Sequence, residues 1–576
     1  MRRGLAAVGA IALGFFVPSA CHIERRPPTV SADLVLRHAA VWTANPARPW
    51  ADAVAIREGH LVYVGEDGGV DRYIGAATRV LDLAGRTVLP GFQDSHAHPL
   101  SGGLELGECN LYEAETPEEI EGAIRAYATL HPDLSWIRGN GWQLPVFPDA
   151  NPRKEVLDRA VPDRPAFFSA ADGHSAWVNS RALVIAGVRR ETPDPPNGRI
   201  ERDPRSGEPT GTLRESAIAL VAEKLPEYTA AERIGAVRRA LAEANRVGIT
   251  SITDADAGPE YLEAYATLDR RNELTARVTA ALHTDAQVPV EAMAARLRAL
   301  RARYRGGSRL SVNTVKLFAD GVIEARTAAL LAPYLGTGND TGELVYQPAD
   351  LAARVAAFDR DGFQIHVHAI GDRAIRVSLD ALAQARQVNG ARDTRPVIAH
   401  LELIDPADIA RFRELGVVAS FQAMWALADE YITKLTEPAL GPARSRWLYP
   451  IGSVMQSGAV VAGGSDWTVS SLNPLDAIQV GVTREALDTG ANHPWIPEER
   501  VDLPRMLAAY TIGAAFATHA ERETGSLEPG KLADLVVLDR NLFAAPVKEI
   551  HLTRVLLTLL EGHAVWSDTS FIREPL

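Results

Sequence analysis

The chain has 576 residues, a net charge of -13 and two cysteines, Cys21 and Cys109. That length carries a large core with room for a second, smaller unit, and an acidic balance without a Lys/Arg cluster beyond the extreme N-terminus argues against a nucleic-acid binder. With Cys21 taken by processing, Cys109 has no partner, so stability has to come from packing rather than from disulfides.

The N-terminal stretch, residues 1–21, reads as a targeting leader. Arg2 and Arg3 form a charged head, residues 5–17 are apolar, and Ser19-Ala20 precede Cys21. The apolar run is short for a membrane span. Its end resembles the bacterial lipoprotein signal, which implies an exported protein in a bacterium, periplasmic or anchored to the membrane through a lipidated Cys21. Pro18 stands where that signal usually has Leu, and plain cleavage into the periplasm is the other expectation.

From Ala32 the chain reads as short strands, ADLVLRHAAVWT, DAVAIREGHLVYVG and RVLDLAGRTVLP, parted by Gly, Pro or Asn-Pro. The C-terminus echoes them with ADLVVLD from Ala533 and VLLTLLEGHAVWSD from Val555, and EGHLVYV at Glu58 nearly repeats as EGHAVW at Glu561. Residues 31–89 and 525–576 are therefore expected to form one small β-sandwich from both chain ends, leaving 90–524 as the other domain.

That middle stretch alternates. Strand candidates are TVLPGFQDSH, GITSITDA, ARVTAALH, VNTVKLFAD, FQIHVHAIGD, RPVIAH, GVVASFQ and AVVAGGSD, mostly parted by helical segments such as EYTAAERIGAVRRALAEANRV. Eight such units predict an α/β fold with a TIM-like (β/α)8 barrel, in which catalytic groups sit at the C-terminal ends of the strands. Residues 101–226 are too long for one connection and are expected to be an inserted lid or pocket wall.

The chemistry gathers at strand ends. In PGFQDSHAHP, residues 90–99, His96 and His98 stand two apart, which on a strand aims both imidazoles at one face and suits a metal. Such a pair alone is as often a surface or core feature. His368, His400 and Asp466 fall at further strand ends, and Lys316 lies in VKLFAD. His366 shares a face with His368 but lies deeper, as a core or supporting residue. GSLEPGK at residues 525–531 mimics a phosphate loop but lacks its Ser/Thr and is followed by a strand.

With these positions together, the chain resembles the amidohydrolase superfamily of metal-dependent hydrolases, in the branch that includes N-substituted formamide deformylase. The resemblance runs from LPGFQDSHAHP through DGHSAWVNS, TGTLRE, VKLFADGVIEARTA, VHAIGDRAI, RPVIAHLELI and GSDWTVSSLNPL to GSLEPGKLADLVVLD. It implies one or two divalent ions, with zinc expected. His96 and His98 would bind the more buried ion, a carboxylated Lys316 would bridge two, His368 and His400 would bind the second, and Asp466 would bind metal while handling the proton. A lysine beside dications is driven neutral and can take up carbon dioxide; the alternative is an ion pair of Lys316 with Asp320 or Glu324.

The resemblance implies water attack on a non-peptide carbon–nitrogen bond in a small-molecule amide, N-formyl compound or cyclic amide. Asp466 would accept the water's proton and return it to the departing nitrogen. His174 in DGHSAW would touch the developing oxyanion or else brace its loop. Trp142, Phe147, Trp177 and Trp425 suggest an aromatic pocket, with Arg326 and Gln422 as polar substrate contacts. Deamination of an amino-substituted heterocycle, and a catalytically inactive lipid-anchored binding protein, are the competing readings. A second copy of the chain as partner stays open.

Overall fold

A computed structural model describes residues 31–487 and 493–571. The leader and Cys21 lie outside the described residues. Among those described, no helix is long and apolar enough to cross a membrane.

The centre is a sheet of eight parallel strands in sequential order: β1 (Phe92–Ala97), β2 (Ile249–Ala257), β3 (Arg277–Leu282), β4 (Leu310–Phe318), β5 (Gln364–Ala369), β6 (Val397–His400), β7 (Val418–Phe421) and β8 (Val461–Gly463). Their residues are buried almost throughout, as expected of parallel strands covered by helices. Amphipathic helices do the covering. Ala230–Arg246 starts at a Thr229/Glu232 capping box and buries Val237, Leu241 and Ala244 toward the barrel.

The sheet curls until β8 meets β1. Ser95 Oγ donates to Gly463 O at 2.9 Å, the Asp466 N–H donates to His96 O at 2.7 Å, and Asp94 Oδ1 accepts from the Ser465 N–H at 3.1 Å. This approach needs a bare backbone: a Cβ on Gly464 would stand 2.9 Å from His96 Cβ. The fold is thus the TIM-like barrel expected from the alternating pattern.

TVLPGFQDSH, expected as one strand, is two. Thr87–Pro90 leaves the barrel, and the chain breaks at Gly91, whose N–H donates to Asp534 O at 3.0 Å and where a Cβ would fall 2.4 Å from Thr250 Oγ1. Thr87–Pro90 runs antiparallel to Leu535–Leu538 and parallel to Ala40–Trp42, inside a six-stranded sheet that also holds Val555–Leu560 and His563–Ser567. A four-stranded sheet containing Leu34–Arg37 and Ala53–Arg57 packs against it through Leu36, Val54, Ile56, Val88, Val537 and Leu557. The repeated EGH words are two hairpin turns with left-handed backbone at Glu58, Gly59, Glu561 and Gly562, and they touch. The Glu561 carboxylate then reaches Arg277 and Arg309, each at 2.6 Å, tying this unit to the barrel.

Residues 101–226, expected as a lid or pocket wall, fold as a unit of their own. They contain a six-stranded sheet, from Cys109–Asn110 to Pro209–Glu215, with its own apolar clusters.

Gly464→Ala should therefore destabilise the protein by about 1–3 kcal/mol, the usual cost of forcing atoms into a packed site. Gly122→Ala, on the exposed face of helix Pro117–Leu130 where a Cβ meets nothing, should be neutral or stabilising by up to about 1 kcal/mol. Urea unfolding of the two variants checks the pair; equal stability would mean that the seam does not need bare backbone.

Candidate active site

His96 lies in β1 and His98 just past it; Lys316 is near the end of β4, His368 in β5, His400 ends β6, and Asp466 follows β8. Strand register brings them together, pairing Phe318 with His368 and Ala369 with His400. His98 Nε2 lies 3.1 Å and His96 Nε2 3.5 Å from Asp466 Oδ1, while His400 Nδ1 lies 3.8 Å from Asp466 Oδ2. Lys316 Nζ is 3.3 Å from His96 Nε2, and the rings of His368 and His400 are 4.5 Å apart.

Two of these residues have unusual backbone. His400 and Asp466 have φ of 78° and 52°, the left-handed region that residues with a Cβ enter at a cost and that recurs at functional sites.

The arrangement fits a divalent ion. Donor atoms of His96, His98 and Asp466 all lie within 4.8 Å of one another. His400 Nδ1 is buried yet has no hydrogen-bond partner, a condition that buried polar atoms rarely tolerate and that a cation would relieve. His366 supports the set, its Nε2 2.8 Å from His96 Nδ1. With His96 Nδ1–H as donor, the Nε2 lone pair is the one beside Asp466 and Lys316. His368 Nε2–H correspondingly donates to Gly321 O at 3.2 Å, leaving Nδ1 with the lone pair.

Electrostatics keep four of the imidazoles neutral, whereas Asp466 outweighs burial at His98 and raises its pKa. Burial first, then nearby cationic groups, push His96, His366, His368 and His400 well below the ordinary histidine range. Lys316 is 1% exposed. Burial brings its amine down to about 8, although Asp466, Asp256 and Asp254 pull the other way. The alternative ion pairs are not formed: Asp320 accepts backbone N–H groups of Ala329, Ile370 and Gly371, and Glu324 accepts the Thr436 hydroxyl.

His174 reaches this centre from the insert, its ring 5.5 Å from His368. Its Nδ1 is 2.9 Å from Glu215 Oε2, and Glu215 Oε1 accepts the Thr327 hydroxyl at 2.7 Å. Burial lowers the His174 pKa, but Glu215, Asp172 and Asp466 outweigh it and hold the group at about 9. Glu215 escaped the sequence reading although TGTLRE was conspicuous. Only the antiparallel pairing of Ser175 with Arg214 brings Glu215 beside His174.

A cavity of about 520 Å³ opens onto His174, His368, His400 and Asp466, with Trp425 stacked parallel to His400 at 5.7 Å. Trp142 and Trp177 are corrections. Both are 0% exposed in the insert's own core, and Trp142 Nε1–H donates to Phe168 O. Phe147 packs with them. Arg326 points to solvent from a turn, and Gln422 is buried beside Gly464 with both amide atoms unpartnered; neither lines the cavity.

Residues 79–566 match the amidohydrolase family. The chain belongs to that family. It is 33% identical over 556 residues to Protein LONG AFTER FAR-RED 3 of Arabidopsis thaliana, covering 94% of this chain and 92% of that one. It is 27% identical over 550 residues to N-substituted formamide deformylase of Arthrobacter pascens, covering 93% and 98%. Its structure is similar to an uncharacterized metal-dependent hydrolase from Pyrococcus furiosus, with a TM-score of 0.67, 26% identity, and coverage of 88% and 99%. This amidohydrolase is a metal-dependent hydrolase.

The His174–Glu215 pair predicts a pH signature. Between the ordinary 6.5 and the folded value of about 9, the folded state holds a proton that the unfolded chain has lost. Its stabilisation is complete below pH 6.5 and disappears as pH rises through about 9. The melting temperature of the metal-free protein should thus fall more steeply over that window than it does in Glu215→Gln. Lys316 acts oppositely above pH 8 but equally in both proteins. Parallel melting curves would deny the proton to this pair.

Proposed function

We propose that the amidohydrolase cleaves a carbon–nitrogen bond outside a peptide chain, in an amide, N-formyl or cyclic amide substrate. The observation that carries this reading is Lys316: a buried amine 3.3 Å from His96 Nε2, within the histidine and aspartate set. The similarity to a formamide deformylase over nearly the whole of both chains supports it.

His96, His98, His400 and Asp466 would hold a divalent ion, with Lys316 and His368 beside them, and zinc suits such nitrogen and oxygen donors. The chemistry such an ion supplies is acidification of water and polarisation of the amide carbonyl. The Asp466 carboxylate, buried at the cavity, takes the attacking water's proton and returns it to the departing nitrogen. His174, with Nδ1 engaged by Glu215, offers Nε2–H to the carbonyl oxygen as it gains negative charge. Val322, Ile370, Met424, Trp425 and Leu427 give the cavity an apolar side that limits water. The neutral Lys316 amine adds to carbon dioxide, forming an N–C bond and releasing a proton; a diffraction map would reveal the resulting carboxylate on Nζ, and a bare amine in the metal-loaded protein would refute this step.

Asp466→Asn keeps the shape and loses the proton acceptor. With N-formyl and N-acyl amines, cyclic amides and amino-heterocycles as candidate substrates, the zinc-loaded variant should stay folded, keep much of its metal and lose turnover by at least about a hundredfold. Near-normal turnover would remove Asp466 as the proton carrier, and cleavage confined to amino-heterocycles would replace amide hydrolysis with deamination.

A further inference from the structure

The cavity extends to a wall that this chemistry does not use. Glu402, two residues past His400, is 4% exposed, lines the cavity, and has an Oε2 with no hydrogen-bond partner. Its backbone is fixed by the Tyr449 N–H, which donates to Glu402 O at 2.7 Å. Glu324 and Asp429 line the same cavity. Glu324 accepts the Thr436 hydroxyl, and Asp429 Oδ1 accepts the Ile432 N–H at 2.9 Å. Among the described residues, none of these three carboxyls forms an ion pair with a Lys or Arg; Glu402 is buried, Glu324 half-buried and Asp429 exposed at the rim.

Aromatic faces stand beside the acids, with Trp425, Tyr431 and Tyr449 lining the same space. A carboxylate buried without a partner, as Glu402 Oε2 is, is costly, and a positive nitrogen removes the cost. Aromatic rings add attraction for such a cation. An anionic group would meet only repulsion on this wall, and a purely apolar one would leave Glu402 unsatisfied. The volume of about 520 Å³ admits a small amide with a short tail.

We propose that Glu402, Glu324 and Asp429, with the neighbouring aromatic rings, receive a positively charged nitrogen of the substrate, so that the substrate class is an amide carrying an ammonium or guanidinium group away from the scissile bond. This specificity rests on the amide-hydrolase reading of the same cavity.

Calorimetry on the zinc-loaded Asp466→Asn protein tests it with two ligands of equal shape: N-formylcadaverine, which ends in an ammonium, and N-formylhexylamine, which ends in a methyl. The charged ligand should bind at least about tenfold more tightly, in line with hydrogen bonds to charged groups, and the preference should shrink to about threefold or less in Glu402→Gln and in Glu324→Gln. Equal affinities, no detectable binding of the charged ligand, or a preference that survives both substitutions would overturn the proposal. If the preference appears as expected but the wild-type enzyme cleaves neither compound nor any other amide, the cation site stands and the amide-hydrolase reading falls.

Discussion

One hydrogen bond organises both the fold and the site: the Asp466 N–H donating to His96 O at 2.7 Å where the last strand meets the first. Closing a parallel barrel requires this seam. Because it is made next to two candidate ligands, the contact that completes the sheet also sets the Asp466 carboxylate among the imidazoles of His96, His98 and His400. Gly464 permits the approach, and Asp94 secures it by accepting from the backbone N–H groups of both His96 and Ser465.

The interior this creates is polar where most cores are apolar. Four imidazoles held neutral by burial, a lysine with its pKa lowered to about 8 and the buried Asp466 carboxylate share one end of the barrel. Such a set is a liability without a cation and a source of stability with one, since an ion bound only by the folded chain shifts the folding equilibrium toward it. The left-handed backbone at His400 and Asp466 fits the same picture: local strain, held by the surrounding barrel, aims the candidate ligands.

What was legible in the sequence followed from periodicity. Alternating apolar strands and amphipathic helices gave away the barrel, and ligand types at strand ends pointed to the candidate metal site because a parallel barrel gathers those ends on one face. The doubled EGH word foretold two matching turns that prove to touch. Tertiary contacts were harder to read. Trp142 and Trp177 looked like pocket walls because their segment resembled a loop, but it builds a sheet and buries them. TVLPGFQDSH hid its break because Gly91 yields to Thr250, distant in sequence. Glu215 and Glu402 owe their importance to partners and surroundings set by strand pairing and by the turn after β6, which no local pattern announces.

The central claim is that one end of this barrel holds a divalent ion between His96, His98 and Asp466. Anomalous diffraction from crystals of the zinc-loaded protein, recorded on both sides of the zinc absorption edge, tests it most directly. An anomalous peak is expected about 2.0–2.3 Å from His96 Nε2, from His98 and from an Asp466 oxygen. A peak elsewhere, or none in fully loaded crystals, would contradict it.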